Sequence, residues 1–185
     1  SGSDLLLGDT GSVEFAGGVI STLDVGEGGG DDVIDAGDGA NTVVGGDGSD
    51  TLSAGSGDDL VLGDRGTISY TDGLAASLST TGGDGNDTID AGDGANVVLG
   101  GLGNDQLTSG SGSDLLLGDT GSVAYVDGVI NTLEIGEGGG DDTIAGGGGA
   151  NIVVGGEGSD TITTGAGDDL IFGDRGTLAF AEGVV

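Results

Sequence analysis

Oxygen-bearing side chains recur at a step of nine along this chain: Asp32, Asn41, Asp50 and Asp59 form one run. Each stands behind a glycine-rich turn and two residues ahead of an apolar one, at Ile34, Val43, Leu52 and Val61. The unit is x-Gly-x-Gly-x-(Asp/Asn)-x-φ-x with φ apolar, and a clear copy runs from Gly45 to Ser53. Carboxylates and carboxamides are hard ligands. Histidine, cysteine and methionine are absent, which removes the usual zinc and copper sites. Calcium accepts roughly six to eight oxygens in loose geometry, peptide carbonyls included, whereas magnesium keeps its waters and wants a strict octahedron. The chemistry on offer is cation binding, and calcium is the ion that fits.

The elements that would position these oxygens follow from the same spacing. Segments such as Thr42-Val43-Val44, Leu60-Val61-Leu62 and Leu115-Leu116-Leu117 are short, β-rich and bounded by glycine. Helical periodicity is missing. Two nonapeptides make one coil of about 18 residues, so turns alternate between two edges of a flattened roll and stack: Asp32 over Asp50, Asn41 over Asp59. The fold class expected is all-β, a parallel β-roll or β-solenoid.

A longer period of 55 residues overlies the short one. Asp9, Asp64, Asp119 and Asp174 keep it, and SGSDLLLGDTGSV at Ser1 returns unchanged at Ser111. The chain reads as one segment of modules at 1–26 (partial), 27–81, 82–136 and 137–185 (partial). Each module ends in a divergent stretch, Gly63 to Thr81 in the second, where Ile68 stands in place of the aspartate. From Tyr70 to Ile89 is 19 residues, one more than two nonapeptides. The simplest expectation is three coils per module with one residue absorbed as a bulge. That makes roughly ten coils and a rod on the order of 48 Å. The competing expectation is a projecting β-hairpin through Thr71-Asp72-Gly73, since Asp-Gly between apolar runs is a hairpin signal. Phe15, Tyr70, Tyr125 and Phe180 hold equivalent places and read as core fillers.

Composition narrows the function. Thirty-three acidic residues face only Arg65 and Arg175, for a formal charge of −31, and 48 of the 185 residues are glycine. Such a chain repels phosphate, so nucleic acid is not a partner, and membrane insertion is not expected. Without histidine, cysteine or lysine, Ser-His, Cys-His and Schiff-base chemistry are missing, and every carboxylate pair recurs with the repeat. No enzyme activity is expected. The chain lacks an initiator methionine and reads as a piece of a longer protein.

These repeats resemble the RTX nonapeptide repeat of large secreted bacterial proteins, whose consensus is Gly-Gly-x-Gly-x-Asp-x-φ-x. The resemblance implies a parallel β-roll with several calcium ions between stacked turns. It also implies type I secretion of an unfolded chain that folds outside the cell, or on its surface, where calcium is plentiful. The 55-residue arrangement is similar to tandem arrays in giant surface adhesins. The metal ligands it implies are Asp4, Asp32, Asp50, Asp59, Asp87, Asp105, Asp114, Asp142, Asp160 and Asp169. Asn41, Asn96 and Asn151 depart from the pattern; their amide oxygens would ligate more weakly. Whether Asp9, Asp64, Asp119 and Asp174 join is open. Expected partners are calcium and neighbouring repeats of the same protein, with end-to-end self-association as a corollary. A structural or extender module is the reading, and the calcium-triggered secretion domain of an RTX enzyme or toxin is the alternative.

Overall fold

The computed structural model describes residues 2–179, which form an all-β structure of three layers. The middle layer is a parallel sheet of β1 (Leu5–Leu7), β5 (Thr42–Gly46), the first half of β7 (Leu60–Thr71), β10 (Val97–Leu99), β12 (Leu115–Leu117), β16 (Ile152–Val154) and β18 (Leu170–Phe172). A second parallel sheet closes the roll with β4 (Val33–Asp35), β6 (Thr51–Ser53), β9 (Thr88–Asp90), β11 (Gln106–Ser111), β15 (Thr143–Gly148) and β17 (Thr161–Thr164). Antiparallel hairpins supply the third layer: β2 (Gly11–Ala16) with β3 (Val19–Val25), the second half of β7 with β8 (Leu74–Gly82), and β13 (Gly121–Val126) with β14 (Val129–Ile135). Neighbouring hairpins pair with each other, Leu23 opposite Ile68 and Leu78 opposite Val123, and β19 (Thr177–Ala179) continues the layer beside β14.

Register settles how the repeats are used. Thr42 pairs with Leu60, 18 residues on, but Leu60 pairs with Val97, 37 residues on, and the two steps then alternate. A 55-residue module therefore makes two coils and a hairpin. The expectation of three coils is corrected: the divergent stretch leaves the roll instead of adding a turn to it. The hairpin through Asp72-Gly73 is what forms, and both tip residues have positive φ, 53° and 81°. Asp127 and Gly128 repeat this at 53° and 78°, the two-residue turn whose twist suits a hairpin. The expected bulge exists, but within the hairpins, at Ser69/Tyr70, Ala124/Tyr125 and Glu14/Phe15. Seven parallel strands in the middle sheet give a stack of about 29 Å, not 48 Å.

Two apolar cores explain why the hairpins fold back. Val43, Val61, Val98, Leu116 and Val153 point into the roll and meet Leu52, Ile89, Leu107 and Ile144 of the second sheet. Their neighbours Val44, Leu62, Leu99, Leu117 and Val154 point the other way and are covered by Leu23, Ile68, Leu78, Val123 and Leu133 of the hairpins. The inner strands β10, β12 and β16 are thus buried on both faces and run apolar (Val-Val-Leu, Leu-Leu-Leu, Ile-Val-Val), as strands between two layers must. The second sheet faces solvent on one side and alternates, as in Thr-Leu-Ser and Thr-Ile-Asp. Tyr70 and Tyr125 pack at the margin of the outer core, and the Tyr70 hydroxyl lies 3.1 Å from Thr42 Oγ1. Phe15 is 67% exposed, so the core-filler expectation does not hold for it. Phe180 lies outside the described residues.

Leu117 is fully buried between the middle sheet and the hairpins, whereas Leu74 at a hairpin tip is 57% exposed. Leu117→Ala should therefore lower stability by about 2–5 kcal/mol, and Leu74→Ala by no more than about 0.5 kcal/mol. Urea denaturation in saturating calcium measures both; equal losses would mean that the hairpins do not pack on the roll.

Candidate metal centres

The thirteen residues singled out in the sequence stand in two ladders, one along each edge of the roll. On the first edge Asp32 N–H donates to Asp50 Oδ1 at 2.8 Å, Asp50 N–H to Asp87 Oδ1 at 2.8 Å and Asp87 N–H to Asp105 Oδ1 at 2.8 Å. Asp105 N–H continues to Asp142 Oδ1 at 2.8 Å, and Asp142 N–H to Asp160 Oδ1 at 3.0 Å. The second edge runs Asp4, Asn41, Asp59, Asn96, Asp114, Asn151, Asp169 by the same bond, at 2.6–3.0 Å. Inner members such as Asp50, Asp59, Asp87 and Asp142 are buried, while Asp4 at the end of the stack is exposed.

One oxygen of each aspartate beyond the first in its ladder is spent on the adjacent layer's N–H. The other is left over: Oδ2 of Asp50, Asp59, Asp87, Asp105, Asp114 and Asp142 is buried without a hydrogen-bond partner. Such an atom is costly unless something positive meets it. On the first edge each stray oxygen faces a second acceptor. A Cβ on Gly45 would run into both Asp50 Oδ2 and the carbonyl oxygen of Gly63, one layer on. Gly63, Gly100, Gly118 and Gly155 repeat this with Asp87, Asp105, Asp142 and Asp160, each with a carbonyl of the next layer. Two acceptors converging on space kept clear by glycine make a cradle for a cation. Each cradle offers a carboxylate oxygen and a peptide carbonyl, the kind of oxygen pair that calcium takes among its ligands. The residues present fit that ion.

Asp64 and Asp119, left open by the sequence, are fully buried on the first edge. Asp64 Oδ2 accepts from Leu102 N–H at 2.6 Å, and its Oδ1 has no partner; Asp119 repeats this on Glu157. Asp9 accepts from Asp47 N–H at 2.5 Å but is less buried, and Asp174 is exposed. These carboxylates add charge to the first edge, and their sequence signal is the Gly-Asp-(Thr/Arg)-Gly that opens each hairpin. Both arginines also lie there: Arg65 Nε is 2.7 Å from Asp47, and Arg175 is 3.0 Å from Glu157.

Burial pushes these carboxyls up, against the pull of the N–H bonds. Asp50 and Asp59 rise to about 6, Asp64, Asp87 and Asp142 to about 7, and Asp105 to about 8, with the charges of Asp87, Asp142 and Asp64 adding to the last. An ordinary aspartate titrates at 3.8, so from about pH 4 to 8 the metal-free fold holds protons that the unfolded chain has released. Its stability falls as pH rises through that window.

Gly45→Ala places a methyl in a cradle at a residue without positive φ, so it should remove one bound ion, as counted by calorimetric titration; an unchanged count would show that the cradle is not a site. Where circular dichroism shows the metal-free chain folded on its protonated carboxyls, calcium uptake should release protons, more at about pH 6 than at about pH 8, with weaker binding at the lower pH. Titration heats in buffers of different ionisation enthalpy report the protons, and heats independent of buffer would contradict it.

The model of the RTX calcium-binding nonapeptide repeat matches the chain in four copies, at residues 35–67, 81–116, 138–162 and 146–177. No curated protein and no solved structure matches it. The matched stretches contain eleven of the thirteen ladder residues, Asp4 and Asp32 lying before the first of them. With more than half its length in these matches and an all-β fold of stacked parallel strands, the chain belongs to the RTX calcium-binding repeat family.

Proposed function

We propose that this chain is a structural extender of a secreted or surface-bound bacterial protein, unfolded without calcium and set by it outside the cell. The observation that carries the reading is the row of buried, partnerless carboxylate oxygens spaced one layer apart. A formal charge of −31 on a glycine-rich chain opposes folding until those oxygens are neutralised. Extracellular calcium modules bind with Kd on the order of 0.1–1 mM. A site of that strength is empty at cytosolic calcium and filled outside, and at ~100 times Kd it adds about 2.7 kcal/mol to folding.

The ends of the stack support the extender role. Leu170, Ile171 and Phe172 of β18 are 43%, 47% and 36% exposed, and Val33 of β4 at the opposite end is 83% exposed. Such strands are ready to pair with a preceding or following module, or with another copy of the chain. The recurrence of every carboxylate pair, together with the missing histidine, cysteine and lysine, supports a role without catalysis.

Far-UV circular dichroism during calcium titration of chelator-treated protein tests the reading. A coil-to-β transition near millimolar calcium, absent with magnesium, is expected. A β-rich spectrum in excess chelator at neutral pH would mean that the fold stands without metal, and the extender would then lose its trigger.

A further inference from the structure

The two edges of the roll fill the same interlayer space with different atoms. On the first edge, Asp50 Oδ2 and the next layer's carbonyl face each other as two acceptors. In every other layer of the second edge, the corresponding atom is a nitrogen. Asn41 Nδ2 donates to the carbonyls of Gly37 at 3.0 Å and Gly39 at 2.9 Å in its own turn, and of Ala54 at 3.1 Å one layer on. Asn96 Nδ2 donates to Gly92 and Gly94 at 3.2 and 3.4 Å, and Asn151 Nδ2 to Gly146 and Gly149 at 2.9 and 3.4 Å.

The far side of each amide fixes its orientation. Oδ1 of Asn41, Asn96 and Asn151 accepts the N–H of Asp4, Asp59 and Asp114 at 3.0, 2.9 and 3.0 Å, as Oδ1 of the aspartates does elsewhere. Turned over, the amide would set N–H against N–H and oxygen against the turn carbonyls. Between the asparagine layers, Asp59 and Asp114 keep a buried Oδ2 with no partner.

We propose that Asn41, Asn96 and Asn151 stand in for calcium. The NH2 of each satisfies the turn carbonyls that a cation would otherwise take, so the second edge binds calcium only at its aspartate layers. The inference rests on the calcium reading above and replaces the expectation that these amide oxygens are weak ligands. Uptake is then lopsided: the first edge needs an ion in every layer, the second in alternate layers only. As the roll forms, the asparagine layers of the second edge close on their own amides and need no ion.

Native mass spectrometry of the full chain at saturating calcium counts the ions, with circular dichroism reporting the fold. Asn96→Asp should gain one ion over the wild type, and the triple Asn→Asp variant three. Asn96→Ala should keep the wild-type count while losing stability at saturating calcium. Loss of an ion in Asn96→Ala makes the asparagine a ligand and overturns the inference; so does an unchanged count in a folded Asn96→Asp. If Asn96→Asp does not fold, the Asn96→Ala count decides. A wild type that takes up no calcium overturns the calcium reading and this inference together, whereas loss of an ion in Asn96→Ala alone leaves that reading intact.

Discussion

At each turn the carboxylate of one layer receives one N–H from its neighbour, and that carboxylate has two oxygens. That mismatch governs the rest of the structure. Asp50 Oδ1 is satisfied by Asp32 N–H, and Asp50 Oδ2 is then carried into a buried space whose other wall is the carbonyl of Gly63. Stacking is the only way the short strands can complete their backbone hydrogen bonds, and stacking aligns these stray oxygens in a row. Burial raises the cost of their charge, which appears as carboxyls pushed up to about 6 through about 8. A divalent cation between layers removes the cost and uses the glycine carbonyls at the same time.

Apolar packing does a different task from the ions. The inner core is one residue deep per strand, Val61 against Leu52 and Ile89, and is too thin to hold a chain of this charge. The hairpin layer thickens it. By folding back over Leu62, Leu99 and Leu117, it buries the outward face of the middle sheet and ties each module to the next through antiparallel pairing. The stack, already joined by its two parallel sheets, gains an antiparallel layer along one side.

Much of the candidate site was legible beforehand because the nonapeptide step is rigid. A turn of six residues and a strand of three can only coil, so residues 18 apart had to stack, and Asp32 does lie beside Asp50. The coil count was not legible from the same rule. Tyr70 keeps the apolar phase nine residues after Val61, which disguises a hairpin strand as another nonapeptide. A signal was present in the strand residues themselves. Leu60-Val61-Leu62 and Leu115-Leu116-Leu117 are apolar at all three positions, and Thr51-Leu52-Ser53 at one, which means that one sheet is covered on both faces.

The sequence by itself determined the repeat, the all-β coil and the identity of the oxygens, because a short period leaves the chain few ways to close and each aspartate's place in it is explicit. Only the tertiary structure decided which face of the roll the divergent stretches cover, and that they form hairpins at all. It also decided which amide and carboxylate atoms meet which carbonyls. Those outcomes depend on contacts 37 residues apart, such as Asp59 N–H on Asn96 Oδ1, and on whether a neighbouring layer presents a donor or a second acceptor. Spacing along the chain carries no record of that choice. It is made when the layers come within hydrogen-bond distance and every buried oxygen must find a partner.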